Sequence, residues 1–167
     1  MKNTHILHIV CSKTNTNIGK IIRFLTEDDI NHCSIYFDDE KILYSCRREY
    51  KYNLFSGKCG IETFDNMACG KQMYYEQIDI PISQEEYEYV INIISNSFDK
   101  KYDYIRLFAM KFHLNFRIKE RFVCSTYVAY ILTHLIDLND NYENYTPISL
   151  RNELENNYIV KSFFYQN

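Results

Sequence analysis

Between residues 72 and 98 the chain changes its hydrophobic period, and that change most restricts the folds open to it. "QMYYEQIDIPI" (72–82) is rich in β-formers and reads as a strand closed by Pro81. Ser83 and Glu86 then stand at the spacing of a capping box. Beyond them Tyr87, Val90, Ile91, Ile94 and Phe98 recur at helical intervals. A strand running directly into a capped amphipathic helix excludes an all-β or all-α chain. The whole sequence holds only four Gly and two Pro, which argues against disorder and against a turn-dense sandwich. At 167 residues it predicts one α+β domain over 1–167, with a core of its own.

The rest of the chain fits this reading. "HILHIVC" (5–11) is a short apolar run expected as a buried strand, and "TNTN" breaks it. Ile18, Ile21, Ile22 and Leu25 share a helix face, with Thr16 or Asn17 as cap. "NHCSIYFDDEKILYSC" (31–46) predicts a hairpin, with His32, Ser34 and Tyr36 on one face and Cys33, Ile35 and Phe37 on the other. Residues 47–72 lack periodicity and hold three of the four Gly, so they predict a long loop. Further helices are expected over 102–114, from about Val123, and after Thr146-Pro147, with "NYIVKSFFY" as a last strand.

A formal charge of −3 provides no electrostatic footprint for nucleic acid. No stretch approaches the length of a membrane span, and "MKNTHILHIVCS" lacks the form of a secretion signal. The six Cys, at 11, 33, 46, 59, 69 and 124, include no CxxC, and no His stands at zinc-finger spacing from a pair. A reduced, cytoplasmic thiol protein without cofactor or metal is expected. A metal set of Cys33, Cys46 and His32 is the weakest alternative.

Cys124 is either a packed core thiol or a reactive one. In "RFVCSTYVAYIL" (121–132) it opens a helix whose inward stripe runs through Val128, Ile131, Leu132 and Leu135. A lone Cys on such a face is ordinarily core. Yet a helix start favours an anion, and Arg117, Lys119 and Arg121 precede it, so the same position can activate a thiol. A thiolate needs a partner, normally His, and the chain has five.

The two motifs "NHCSIYFDD" and "RFVCSTYVAYIL", with "TNTNIGKIIRFLT" before the first and "YTPISLRNEL" after the second, resemble the circularly permuted NlpC-type papain-like cysteine hydrolases. The likeness is to the YiiX-like bacterial branch and, more distantly, to lecithin retinol acyltransferase-like enzymes. It implies a permuted papain-like fold, with a central antiparallel sheet packed against helices and the Cys at a helix N-terminus. It implies Cys124 as nucleophile, His32 as base, and the Cys124 N–H as an oxyanion donor. The family's orienting residue falls by register near Tyr44 or Ser45, with Tyr44 favoured; neither is the usual His, Glu, Asp or Asn. The implied activity is a thiol hydrolase or acyltransferase working on an amide, isopeptide or ester through an acyl-enzyme, with a peptide, isopeptide or small acyl substrate. The alternative is a non-catalytic small-ligand or peptide-binding protein on the same fold. The aromatic residues Tyr50, Tyr52, Phe55, Phe64, Tyr74 and Tyr75 either line an acyl pocket or pack in the core. Oligomeric state has no signature in the chain.

Overall fold

The computed structural model describes residues 5–26, 28–38, 42–48, 56–112, 114, 116 and 118–166. Its chain is α+β, built on one six-stranded antiparallel sheet. In chain order the elements are β1 (His5–Ser12), α1 (Asn17–Thr26), β2 (His32–Phe37), β3 (Leu43–Arg48), β4 (Gly57–Glu62) and α2 (Phe64–Ala68). There follow β5 (Met73–Ile82), α3 (Gln84–Ser97), α4 (Tyr104–Lys111), α5 (Cys124–Leu132), α6 (Pro147–Glu155) and β6 (Val160–Tyr165). The strands lie in the order β4-β3-β2-β1-β5-β6.

The alternation of side chains sorts the two faces. Leu7, Ile9 and Cys11 of β1, with Cys33, Ile35 and Phe37 of β2, point into the larger core, which α3, α5 and α6 close with Val90, Val128, Ile131 and Leu150. Val10 and Leu43 point the other way, into a smaller core with Met67 and Ala68 of α2 and Met73 of β5. With both faces covered, β1 is buried almost throughout, which is why "HILHIVC" is mainly apolar rather than strictly alternating.

Local rules set the element ends. Ser83 caps α3 as expected: its hydroxyl accepts from Glu86 N, and Ser83 N donates to the Glu86 carboxylate at 2.7 Å. Thr146 caps α6 with Pro147 in the first turn. Thr16 rather than Asn17 starts α1, accepting from Gly19 N at 2.9 Å. Gly19 also has a steric reason to be Gly, since a Cβ there would stand 2.3 Å from the Thr14 hydroxyl. Pro81 does not end its strand; exposed and paired with Ile6, it sits one residue inside the end of β5.

Two expectations need correction. The segment 47–72 is not a single long loop, because among its described residues are β4 and α2. Residues 57–62, GKCGIE, have little strand propensity of their own, and the pairing with β3 makes them a strand. Cys46 and Cys59, expected as packed reduced thiols, stand directly opposite each other in that pairing and form a disulfide. The thiols therefore do not argue for a reducing compartment. No helix among the described residues is long and apolar enough to cross a membrane.

Candidate active site

Helix α5 begins at Cys124 itself. Val123 is the N-cap, and its N–H donates to the Thr126 hydroxyl at 3.0 Å. The first amides of a helix have no acceptor within it, so the Cys124 N–H belongs to the group that a helix start offers to an anion. The segment leading to the cysteine is tied down on one side: Asp103 N donates to Phe122 O at 2.9 Å.

His32 is the first residue of β2, and its position is set from the neighbouring residue. Asn31 is fully buried, and its side chain stitches the chain between β1 and α1 to the start of β2. Its Oδ1 accepts from Thr14 N at 3.0 Å and from the Thr14 hydroxyl at 2.9 Å. Its Nδ2 donates to Gly19 O at 3.0 Å and to Thr14 O at 3.3 Å. Four bonds to a fully buried amide leave the backbone at His32 little freedom.

The imidazole of His32 meets two groups. Its Nε2 is 2.7 Å from Oε1 of Glu62, the last residue of β4, and the Cys124 thiol is near enough to the ring to act on its protonation. With Nε2 donated to the carboxylate, Nδ1 is the nitrogen left for the sulfur. All three side chains are buried; Cys124 is 2% exposed, Glu62 3% and His32 9%. Burial opposes the charged form of His32. The Glu62 carboxylate and the Cys124 sulfur, through charge and hydrogen bonds, outweigh it and raise the imidazole well above its ordinary value of 6.5.

Tyr44, expected beside His32, lies on the opposite face of the sheet. It pairs with Ile35 and therefore shares the face of Ile35, packing beside Phe37 against the larger core. Glu62 pairs instead with Leu43, which belongs to the smaller core, and so lies on the face that alternation assigns to His32. Ser45 is occupied differently, donating to Cys33 O at 2.6 Å. The carboxylate thus comes from one strand further out than expected. The signal in the sequence was slight: Cys59 and Ile61 alternate with Gly60 and Glu62, just before Thr63, which caps α2 by accepting from Asn66 N. Tyr102 was also missed. It is buried, and burial together with the nearby Cys124, Tyr104 and Asp103 raises its hydroxyl well above the usual phenol value.

The other candidate partners lie elsewhere. His5 bonds Asp38 and Gln84, His8 bonds Asp79, and His134 packs against the rings of Tyr89 and Tyr130. His113, Arg117, Tyr50, Tyr52 and Phe55 fall outside the described residues. Lys119 is exposed and Arg121 half-buried. Phe64 and Tyr75 pack with Tyr36 and Tyr165 on the smaller core, and the Tyr74 ring lies tilted beside that of Phe164. Cys33 is buried 3.9 Å from Cys11, and this contact and its burial push its thiol well above the ordinary 9.0. Cys69 is the exposed one among the free thiols. Among the described residues no three His, Cys, Asp or Glu side chains gather as a metal ion would require, and Cys46 is committed to its disulfide.

No protein-family model matches the sequence, and neither a curated protein nor a solved structure matches the chain.

Proposed function

We propose that this protein is a thiol-dependent acyl-transfer enzyme, a hydrolase or acyltransferase acting on an amide, isopeptide or ester. The observation that carries the reading is the buried line from the Cys124 thiol through the His32 imidazole to the Glu62 carboxylate. A thiol at the first residue of a helix, a histidine on a separate strand and an acid fixing the tautomer make up a nucleophile–base–orienter set. The order of His strand before Cys helix, on an antiparallel sheet covered by helices, supports a permuted papain-like fold of the NlpC and YiiX kind.

The chemistry follows from the roles. His32 takes the thiol proton, and the Cys124 sulfur attacks the acyl carbon as the carbonyl π pair moves onto oxygen. The Cys124 N–H, at the helix start, stabilises that oxyanion. The oxyanion collapses, the bond to the leaving amine or alcohol breaks, and His32 supplies its proton. A water or alcohol then gives a proton to His32 and attacks the thioester, which releases the acyl product and restores the thiol. Glu62 holds His32 in the tautomer that presents Nδ1 to sulfur and stabilises the imidazolium. The alternative of a non-catalytic binding protein drew on a missing orienting residue, and Glu62 supplies one.

The test is acetyl capture. With p-nitrophenyl acetate, the acetyl mass is expected on the peptide containing Cys124, together with nitrophenolate release. Cys124→Ala should abolish both, and His32→Ala should nearly do so. Acetylation confined to exposed Cys69, or release unchanged in Cys124→Ala, overturns the proposal.

A further inference from the structure

Glu62 stands at the end of a strand with little to hold it. β4 reads GKCGIE, with two Gly and a single β-branched residue. Lys58 is half-buried and Ile61 exposed, so the side chains that β4 buries are those of Cys59 and Glu62, at 1% and 3% exposure. The second of these is a carboxylate. Taking it out of water is costly, and the bond to His32 offsets that cost only while the carboxylate reaches Nε2. Such a strand, left to itself, gains solvation by sliding or by turning its charged end outward.

Backbone bonds on its outer side secure the first half. Cys59 N donates to Lys100 O and Tyr102 N to Gly57 O, each at 2.8 Å, and Gly57 N donates to the Tyr104 hydroxyl at 2.9 Å. On the inner side β4 pairs with β3, and there register decides which face Glu62 takes. Cys46 stands opposite Cys59, and Leu43 opposite Glu62. A slip of one residue would carry Glu62 to the other face, away from His32. A slip of two would keep the face but move the carboxylate about 7 Å along the strand. The Cys46–Cys59 bond forbids both, because it locks one opposed pair three residues before Glu62.

We propose that the Cys46–Cys59 disulfide is the positioning element for Glu62, so that a dithiol reductant weakens this site instead of activating it. The effect on turnover rests on the acyl-transfer reading, while the effect on the His32–Glu62 pair does not. Reductants ordinarily restore a cysteine nucleophile. Here the Cys124 thiol is already free, and the bond that reduction breaks belongs to two other cysteines. The dithiol supplies two electrons and two protons: it closes its own disulfide, and Cys46 and Cys59 are released as thiols. Both sulfurs are buried, so the exchange proceeds through local opening of the outermost strand. With the link gone, β4 keeps its backbone bonds but has no covalent register, and the carboxylate spends less time on Nε2.

The test compares the chain with and without this bond. Wild type is reduced with dithiothreitol, desalted without oxygen and checked by mass for the hydrogens gained. Cys46→Ala/Cys59→Ala removes the bond outright. In both, the His32 ring-proton titration should fall toward its ordinary 6.5. Acetylation of the Cys124 peptide by p-nitrophenyl acetate should slow by about threefold or more, and reoxidation of wild type should restore it. Glu62→Gln supplies the readout that a general loss of stability would not. With no carboxylate to place, breaking the bond should leave the His32 titration and acetylation of that variant unchanged. Far-UV circular dichroism identifies any form that unfolds, and the form that stays folded then decides. An unchanged His32 titration in that form overturns the proposal, as does absence of the bond from the purified chain. An equal further loss in Glu62→Gln, or unfolding of both forms, also overturns it, since the bond would then act on the whole fold. If the His32 response is present but oxidised wild type takes no acetyl on Cys124, the acyl-transfer reading fails and the positioning role stands.

Discussion

Glu62→Gln tests the site most directly, because it keeps the shape of the side chain and removes its charge. In the native chain the carboxylate accepts from His32 Nε2 at 2.7 Å, with both residues buried. A hydrogen bond to a charged group contributes about 1.5–3 kcal/mol, and one pKa unit corresponds to about 1.4 kcal/mol. Replacing the carboxylate by a neutral amide should therefore lower the His32 pKa. Because His32 is raised in the folded state, the stability it contributes is fully present below about pH 6.5. It is lost as pH rises through the folded value. Denaturant titrations at pH 6 and pH 9 should show wild type losing more stability over that interval than Glu62→Gln does. In the same variant the charged form of the imidazole beside Cys124 is lost at lower pH. Alkylation of Cys124 by iodoacetamide at pH 7 should slow by about tenfold to a hundredfold, the rate equivalent of the same energy. His32 can be followed by its ring proton resonance and Cys124 by peptide mapping. A His32 titration at the wild-type pH in Glu62→Gln, with alkylation unchanged, would refute the argument that the carboxylate tunes this pair.

Tyr44→Phe should leave the His32 titration and Cys124 alkylation as in wild type, since Tyr44 faces the larger core; a slowed alkylation would return it to the site. Asn31→Ala removes four hydrogen bonds from a fully buried position and should cost about 2–4 kcal/mol by chemical denaturation, because the Thr14 and Gly19 groups lose partners. A loss under about 0.5 kcal/mol would mean that the stitch between β1, α1 and β2 carries no weight. Under native conditions Cys11 and Cys33 should remain unlabelled by iodoacetamide while Cys69 labels freely; labelling of Cys33 ahead of Cys124 would contradict the upward push on its thiol.

Local signals made most of the elements legible. The capping boxes, the period of 83–98 and the apolar run at β1 act within a few residues, so Ser83, Thr146 and Leu7 could be placed from their neighbours alone. Cys124 and His32 were also legible, each sitting in a short motif at an element boundary. Glu62 was not, because its strand depends on pairing with β3, a contact that neither strand encodes alone. Tyr44 was expected beside His32 and lies on the other face for a related reason. The pairing Ile35↔Tyr44 settles which face it takes, and a shift of one residue would have reversed it. The Cys46–Cys59 bond likewise follows from register, and spacing does not reveal it.

The line from Cys124 to Glu62 also has a kinetic meaning. His32 and Glu62 are 30 residues apart, and Cys124 lies a further 62 along the chain. No local segment contains two of the three, so the set exists only after two long loops have closed. A newly made or partly unfolded chain carries the same cysteine with neither imidazole nor carboxylate beside it. On the proposed acyl-transfer reading, the protein is chemically quiet until the sheet from β2 to β4 and the start of α5 have met. During refolding, the onset of Cys124 acylation should trail the recovery of helix signal, and acylation would then serve as a clock for the last tertiary contacts to form.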